Sequence, residues 1–180
     1  VTNLSALDAT QVGALTNTQV AALTTTQLKG LSVTDVGELS ATQVGALAAA
    51  QISALSQAQA QELSVTQIGG LSATQIAALN TTNLTSLNAT QLGALSTTQL
   101  KGLTAAQLGS LSVANVGDLS ETQVGALSAS QVGALAAGSF SALNATQVGA
   151  LSETQIKGVT ATQLKGLNAT DIGELSTTQV

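Results

Sequence analysis

The 180-residue chain has no cysteine, methionine, tryptophan, tyrosine, proline, histidine or arginine, and Phe140 is its only aromatic residue. Lack of cysteine excludes a disulfide framework and is neutral on compartment. With neither histidine nor cysteine, the many serine and threonine hydroxyls have no base for a nucleophilic triad, and a metal has no imidazole or thiolate ligand. The recurring glycines form neither G-x-G-x-x-G nor a P-loop. The expectation is no enzyme, with no catalytic, cofactor-binding or metal-binding residues and no cofactor. Lys29, Lys101, Lys157 and Lys165 stand against nine carboxylates. A basic patch is unattainable, so no nucleic-acid partner is expected. No apolar run approaches the roughly 18 residues of a membrane span, and no signal-peptide pattern opens the chain. Charged residues make up 7% of the chain, against about 25% in typical proteins, which argues against charge-rich disorder. Any core must be aliphatic and thin, because aromatic side chains normally supply much of the buried area.

What is present is one octapeptide, written throughout as L-[ST]-x-T-Q-[VIL]-x-x. Leucine falls at every eighth position from Leu7 to Leu175, with Val159 the exception. Five residues after each leucine comes a second aliphatic slot, from Val12 to Val180, where Ala60 and Phe140 are unusual. A glutamine slot precedes it, occupied by Asp35, Asn83, Asn115, Ser139 and Asp171 in place of glutamine. The slot after each leucine holds Ser, Thr, Asn or Asp, apart from Ala48 and Ala136. These are the residues that cap a helix N-terminus. Glutamine three residues later completes a capping box, and the flanking aliphatics occupy the positions of a hydrophobic staple.

The period decides the architecture. In one continuous helix, eight residues at about 100° each overshoot two turns by about 80°, and the apolar stripe winds around the surface. In one continuous strand, spacings of five and three send leucine and valine to opposite faces. The chain must therefore bend once per octad, at leucine–serine. A short helix from Ser40 to Leu47 places Ser40, Gln43, Val44 and Leu47 on one inner face, with lysines and other variable residues outside. One octad buries too little to offset the ordering of eight residues, so stability must come from neighbouring rungs. Gly and Ala before each leucine allow those rungs to approach closely. Glutamine, never glutamate, suits an inner slot in which an amide both donates and accepts. The expected fold is an all-α solenoid of one- to two-turn helices, one per octad. A β-solenoid is the alternative, since Ser, Thr and Asn favour turns and amide ladders suit stacked strands.

Residues 1–180 read as a single array that opens and closes within an octad, and hence as a segment of a longer array or one whose ends pack on copies of itself. Longer echoes fit growth by in-phase duplication: 27–39 resembles 163–175, and 43–55 resembles 131–143. Asp35 with Glu38, and Asp171 with Glu174, read as solvated outer-face charges in preference to a weak cation site. Lys29 with Glu38, and Lys165 with Glu174, have the spacing of adjacent-rung ion pairs. Asn3, Asn80, Asn83, Asn88, Asn144 and Asn168 satisfy N-x-[ST], mostly because asparagine replaces serine as the cap. Glycans on these or on outer Ser and Thr hydroxyls require an extracellular setting.

The octad array resembles the Ala/Thr/Gln/Leu-rich octapeptide regions of very large bacterial secreted or surface proteins of the adhesin type. That resemblance implies an extracellular or cell-surface stalk or filament, self-associating and without catalytic residues. The L-[ST]-x-x-Q-V stretch also resembles the first helix of TAL-effector repeats, over about six residues and without the DNA-reading part. A surface-binding module is the functional alternative. Thr16–Thr18, Thr24–Thr26 and Ser40–Thr42 resemble the threonine ladders of ice-binding solenoids, and the octapeptide period is similar to that of ice-nucleation proteins. Those use a flat β face, so a helical fold removes the ice reading.

Overall fold

The structure is a computed structural model that describes residues 7–179. It forms two compact units, Val1–Leu95 and Ser96–Val180, and the octad pattern runs unbroken through both sequences. The first unit contains α1 (Ala9–Gly13), α2 (Asn17–Ala21), α3 (Thr25–Lys29), α4 (Val33–Glu38), α5 (Ala41–Gly45), α6 (Ala49–Ala54), α7 (Gln57–Glu62), α8 (Val65–Gly69), α9 (Ala73–Ala78), α10 (Thr81–Thr85) and α11 (Ala89–Gly93). The second contains α12 (Thr97–Lys101), α13 (Ala105–Ser110), α14 (Val113–Gly117), α15 (Glu121–Gly125), α16 (Ala129–Ala134), α17 (Ala137–Ser141), α18 (Ala145–Gly149), α19 (Glu153–Ile156), α20 (Ala161–Gly166) and α21 (Ala169–Gly173). There is one helix per octad and no strand among the described residues. The fold is an α-solenoid, and the β-solenoid alternative is excluded together with the flat strand face that the ice reading needs.

Each octad starts and stops its helix by the same local means. Ser40 is extended (φ −66°, ψ 159°), and its hydroxyl accepts from the Gln43 amide at 3.2 Å. Gln43 Oε1 in turn accepts from the Ser40 N–H at 2.6 Å, which closes the capping box. At the other end the Leu47 N–H reaches back only three residues, to the Val44 carbonyl. Such a tightened last turn is a common way to end a helix. Where the leucine itself caps the C-terminus, as Leu39 does, it too is extended (φ −62°, ψ 136°). Leucine and the residue after it therefore make the corner, as the spacing predicts. The helices are shorter than the full octad, α5 stopping at Gly45, because both flanking residues are spent on that corner.

Packing within each unit follows a rule of three. In the first, α4 lies against α1 and α7, α5 against α2 and α8, and α6 against α3 and α9. In the second, α15 lies against α12 and α18, and α17 against α14 and α20. One turn of the solenoid thus takes three octads. The leucines from Leu31 to Leu151 and the aliphatic slot from Val12 to Val148 form the buried core. Close approach depends on small residues. A Cβ placed on Gly45 would lie 3.0 Å from the Gly70 carbonyl oxygen, and one on Gly133 only 2.5 Å from that of Gly158. The cap residues are exposed at the rim, Ser40 among them. That corrects the expectation of Ser40 on the buried face, where Gln43, Val44 and Leu47 do lie. A cap side chain must turn toward its own helix's amide edge and so cannot also reach the core.

Candidate functional site

The chemistry of this chain is concentrated in the glutamine slot. Gln67 is buried, with its Oε1 accepting from the Ser64 N–H at 2.6 Å. Its Nε2 donates to the Leu39 carbonyl, 28 residues earlier, at 2.6 Å and to the Val36 carbonyl, 31 residues earlier, at 3.0 Å. Those carbonyls belong to the end of α4 and its corner, which have no intrahelical partner. One amide group therefore caps the start of its own helix and the end of the helix four octads back.

The same tie recurs in both units. Gln43 donates to Leu15, Gln51 to Leu23, Gln59 to Leu31, Gln75 to Leu47 and Gln91 to Leu63, at 2.6–2.9 Å. In the second unit Gln147 donates to Leu119, Gln155 to Leu127, Gln163 to Leu135 and Gln179 to Leu151, at 2.6–3.0 Å. Packing relates helices three octads apart, whereas the ties reach four, so each glutamine fastens the corner beyond its stacked neighbour.

The substituted slots show what each atom does. Asn83 Nδ2 still reaches the Leu55 carbonyl at 2.8 Å. No capping box forms there and Asn80 caps alone, although the equally short Asn115 and Asp35 close the box in the same slot. Ser139 donates to the Leu111 carbonyl at 2.9 Å, and α17 opens on Ala136 with no side-chain cap. Asp35 accepts from the Ser32 N–H at 2.7 Å and is buried. The expectation of a solvated outer charge is thus wrong for Asp35, which occupies the glutamine position and makes half of its bonds. Asp171 also sits in that slot, half-buried, and accepts from the Asn168 N–H at 2.9 Å and the Ser141 hydroxyl at 2.6 Å. The Ser141 hydroxyl, followed by the Asn168 amide, holds its carboxyl below the usual aspartate value.

Other side chains marked out by the sequence serve structure or lie on the surface. No three His, Cys, Asp or Glu residues cluster as metal ligands among the described residues, and no cavity forms there. Neither Lys29–Glu38 nor Lys165–Glu174 forms an ion pair there; the exposed Lys157 instead pairs with the exposed Glu153, one helical turn away. A four-residue helical spacing brings side chains together with less ordering than a reach between rungs. Asn80, Asn88, Asn144 and Asn168 are helix caps and Asn83 is a buried donor. Asn3 lies outside the described residues. No helix is long and apolar enough to cross a membrane among the described residues.

One-helix octads, a three-octad turn and the glutamine ties together define a tandem-repeat α-solenoid. The comparison with known proteins agrees in class: residues 76–113 match the model of the ALTTAQ repeat family. No curated protein matches the chain.

Proposed function

We propose that this chain is a non-enzymatic structural protein, a repeat solenoid that serves as an extracellular or cell-surface stalk or filament of the bacterial adhesin type. One observation carries the reading: the side chains with the richest hydrogen-bonding chemistry, the glutamine amides, are used to fasten backbone to backbone. Gln67 has its oxygen and its nitrogen occupied by the chain's own amides and carbonyls, which leaves nothing to turn toward a substrate. Stability that accrues rung by rung suits a part whose length is its purpose. Negative-stain microscopy of the 180-residue chain tests the reading. Long uniform thin fibres support the filament and short isolated rods support the stalk. Irregular aggregates or unfolded chains, with circular dichroism lacking helix, sink both.

An adhesive surface is the second reading, and a specific observation favours it. The stacked octads of α2, α5, α8 and α11 carry no charged residue, and each presents an exposed threonine: Thr18, Thr42, Thr66 and Thr90. A column of hydroxyls that donate and accept without charge suits a neutral hydroxyl-rich polymer. Co-sedimentation with insoluble neutral polysaccharide, unaffected by salt and lost on changing Thr42 and Thr66 to lysine, would support it. No co-sedimentation would remove it.

A further inference from the structure

The residue that follows each aliphatic slot lies beside the glutamine position of a later octad. Gln75 Nε2 donates to the Gly45 carbonyl at 2.9 Å, and Gln155 Nε2 to the Gly125 carbonyl at 3.2 Å, each 30 residues back. In sequence this neighbouring slot holds Gly, Ala, Lys or Gln, except for hydroxyls at Ser5, Ser53, Thr85 and Ser141. Thirty residues after those four stand Asp35, Asn83, Asn115 and Asp171, the four places where Asp or Asn replaces glutamine. No glutamine of the repeat stands 30 residues after such a hydroxyl. Chemistry accounts for the match. An amide brings its own donor to the corner carbonyls, whereas a carboxylate only accepts. At Asp171 the missing donor comes from the Ser141 hydroxyl, 2.6 Å from Oδ2. Ser53 makes no direct bond to Asn83, which carries its own donor to the Leu55 carbonyl, so the hydroxyl is obligatory only opposite aspartate. Ser5, at the matching position for Asp35, lies outside the described residues.

We infer that an aspartate in the glutamine slot and a serine 30 residues before it form a register lock, Ser141 with Asp171 being the instance within the described residues. Glutamine is satisfied opposite any octad. In an array tied by glutamine alone, one octad can loop out and every later tie re-forms one octad away. Aspartate is satisfied only opposite a hydroxyl. Shifted by one octad, Asp171 would face Gly133, which has no side chain to donate. The pair therefore fixes which octads stack, a choice that identical rungs leave open. The lock stands apart from the stalk, filament and adhesive readings and holds or fails without them.

Two single-octad deletions in the second unit test the lock, followed by helical circular dichroism during urea unfolding. Residues 121–128 (ETQVGALS) lie outside the span 141–171, and residues 145–152 (ATQVGALS) lie inside it; the two octads differ at one residue. Deleting the inner octad brings Asp171 to the 30-residue spacing from Gly133. That deletion is expected to unfold at a lower urea midpoint than the outer one. Asp171→Gln added to the inner deletion is expected to bring the midpoint back to that of the outer deletion, because glutamine is satisfied opposite glycine. Equal midpoints for the two deletions, or no recovery with Asp171→Gln, would overturn the lock. If a deletion fails to fold, point changes in the undeleted chain decide. Ser141→Gly is expected to weaken the folding equilibrium about threefold to tenfold more with Asp171 in place than in the Asp171→Gln background. An equal loss in both backgrounds would overturn the pairing.

Discussion

Glutamine in this protein works as a bifunctional fastener, and its two ends can be separated by substitution. Gln67→Ala leaves the Ser64 N–H and the Val36 and Leu39 carbonyls unpaired, at an expected cost of about 2–3 kcal/mol in urea unfolding. Gln67→Glu retains acceptance from Ser64 but turns a carboxylate toward two carbonyls. It should destabilise at neutral pH and recover as the pH falls, because only the protonated acid donates. Asp171 behaves in the opposite sense. Its lowered carboxyl contributes stability that is full above the ordinary value of about 3.9 and is lost as pH falls through the lower folded value. Ser141→Ala should move that carboxyl upward and shift the acid loss to higher pH, as followed by carboxyl NMR titration. Half of the fastener is legible in the octad, since S-x-x-Q is a capping box and glutamate never replaces glutamine. The donor half is not legible, because a partner 28 residues away is set by how helices wind, which no single octad encodes. Asp35 was misplaced for a related reason: charge alone points outward, while its slot points in.

Each short helix depends on its cap more than a long helix would, having only four to six residues over which to spread the cost of its start. Ala48 is extended like the other caps (φ −69°, ψ 156°) but offers no side-chain acceptor, although Gln51 Oε1 already accepts from its N–H at 2.6 Å. Ala48→Ser completes the box without moving the backbone, and a gain of about 1 kcal/mol in thermal or urea unfolding is the expected outcome. The glycines divide in the same local way. Gly149 has open space where a Cβ would go, whereas Gly133 does not. Gly149→Ala should therefore raise the melting temperature through helix propensity, and Gly133→Ala should lower it by crowding the Gly158 carbonyl. Ser, Thr, Asn and Asp in the cap slot made helix starts plain in the sequence. Which glycine faces a neighbour was hidden, since the contact spans three octads.

Turn upon turn, most octads present the same carbonyls to the turn that follows and the same glutamine amides to the turn before, so the array tolerates changes in copy number but not in phase. Deleting residues 41–48 in the first unit leaves each glutamine facing an equivalent leucine carbonyl. Deleting residues 41–44 places that segment's cap, glutamine and leucine out of step. The eight-residue deletion should keep helical circular dichroism and cooperative melting, and the four-residue deletion should lose helical signal in the first unit. The echoes between 27–39 and 163–175 and between 43–55 and 131–143, both offset by multiples of eight, fit that constraint.

The ties also outlast the chain that carries them. A protease nick between Leu63 and Ser64 would sever the covalent path at one corner. Gln67 on the far side would still hold Val36 and Leu39, and Gln91 would still hold Leu63 itself. Such a solenoid resembles laced fabric, in which one cut thread leaves the seam closed.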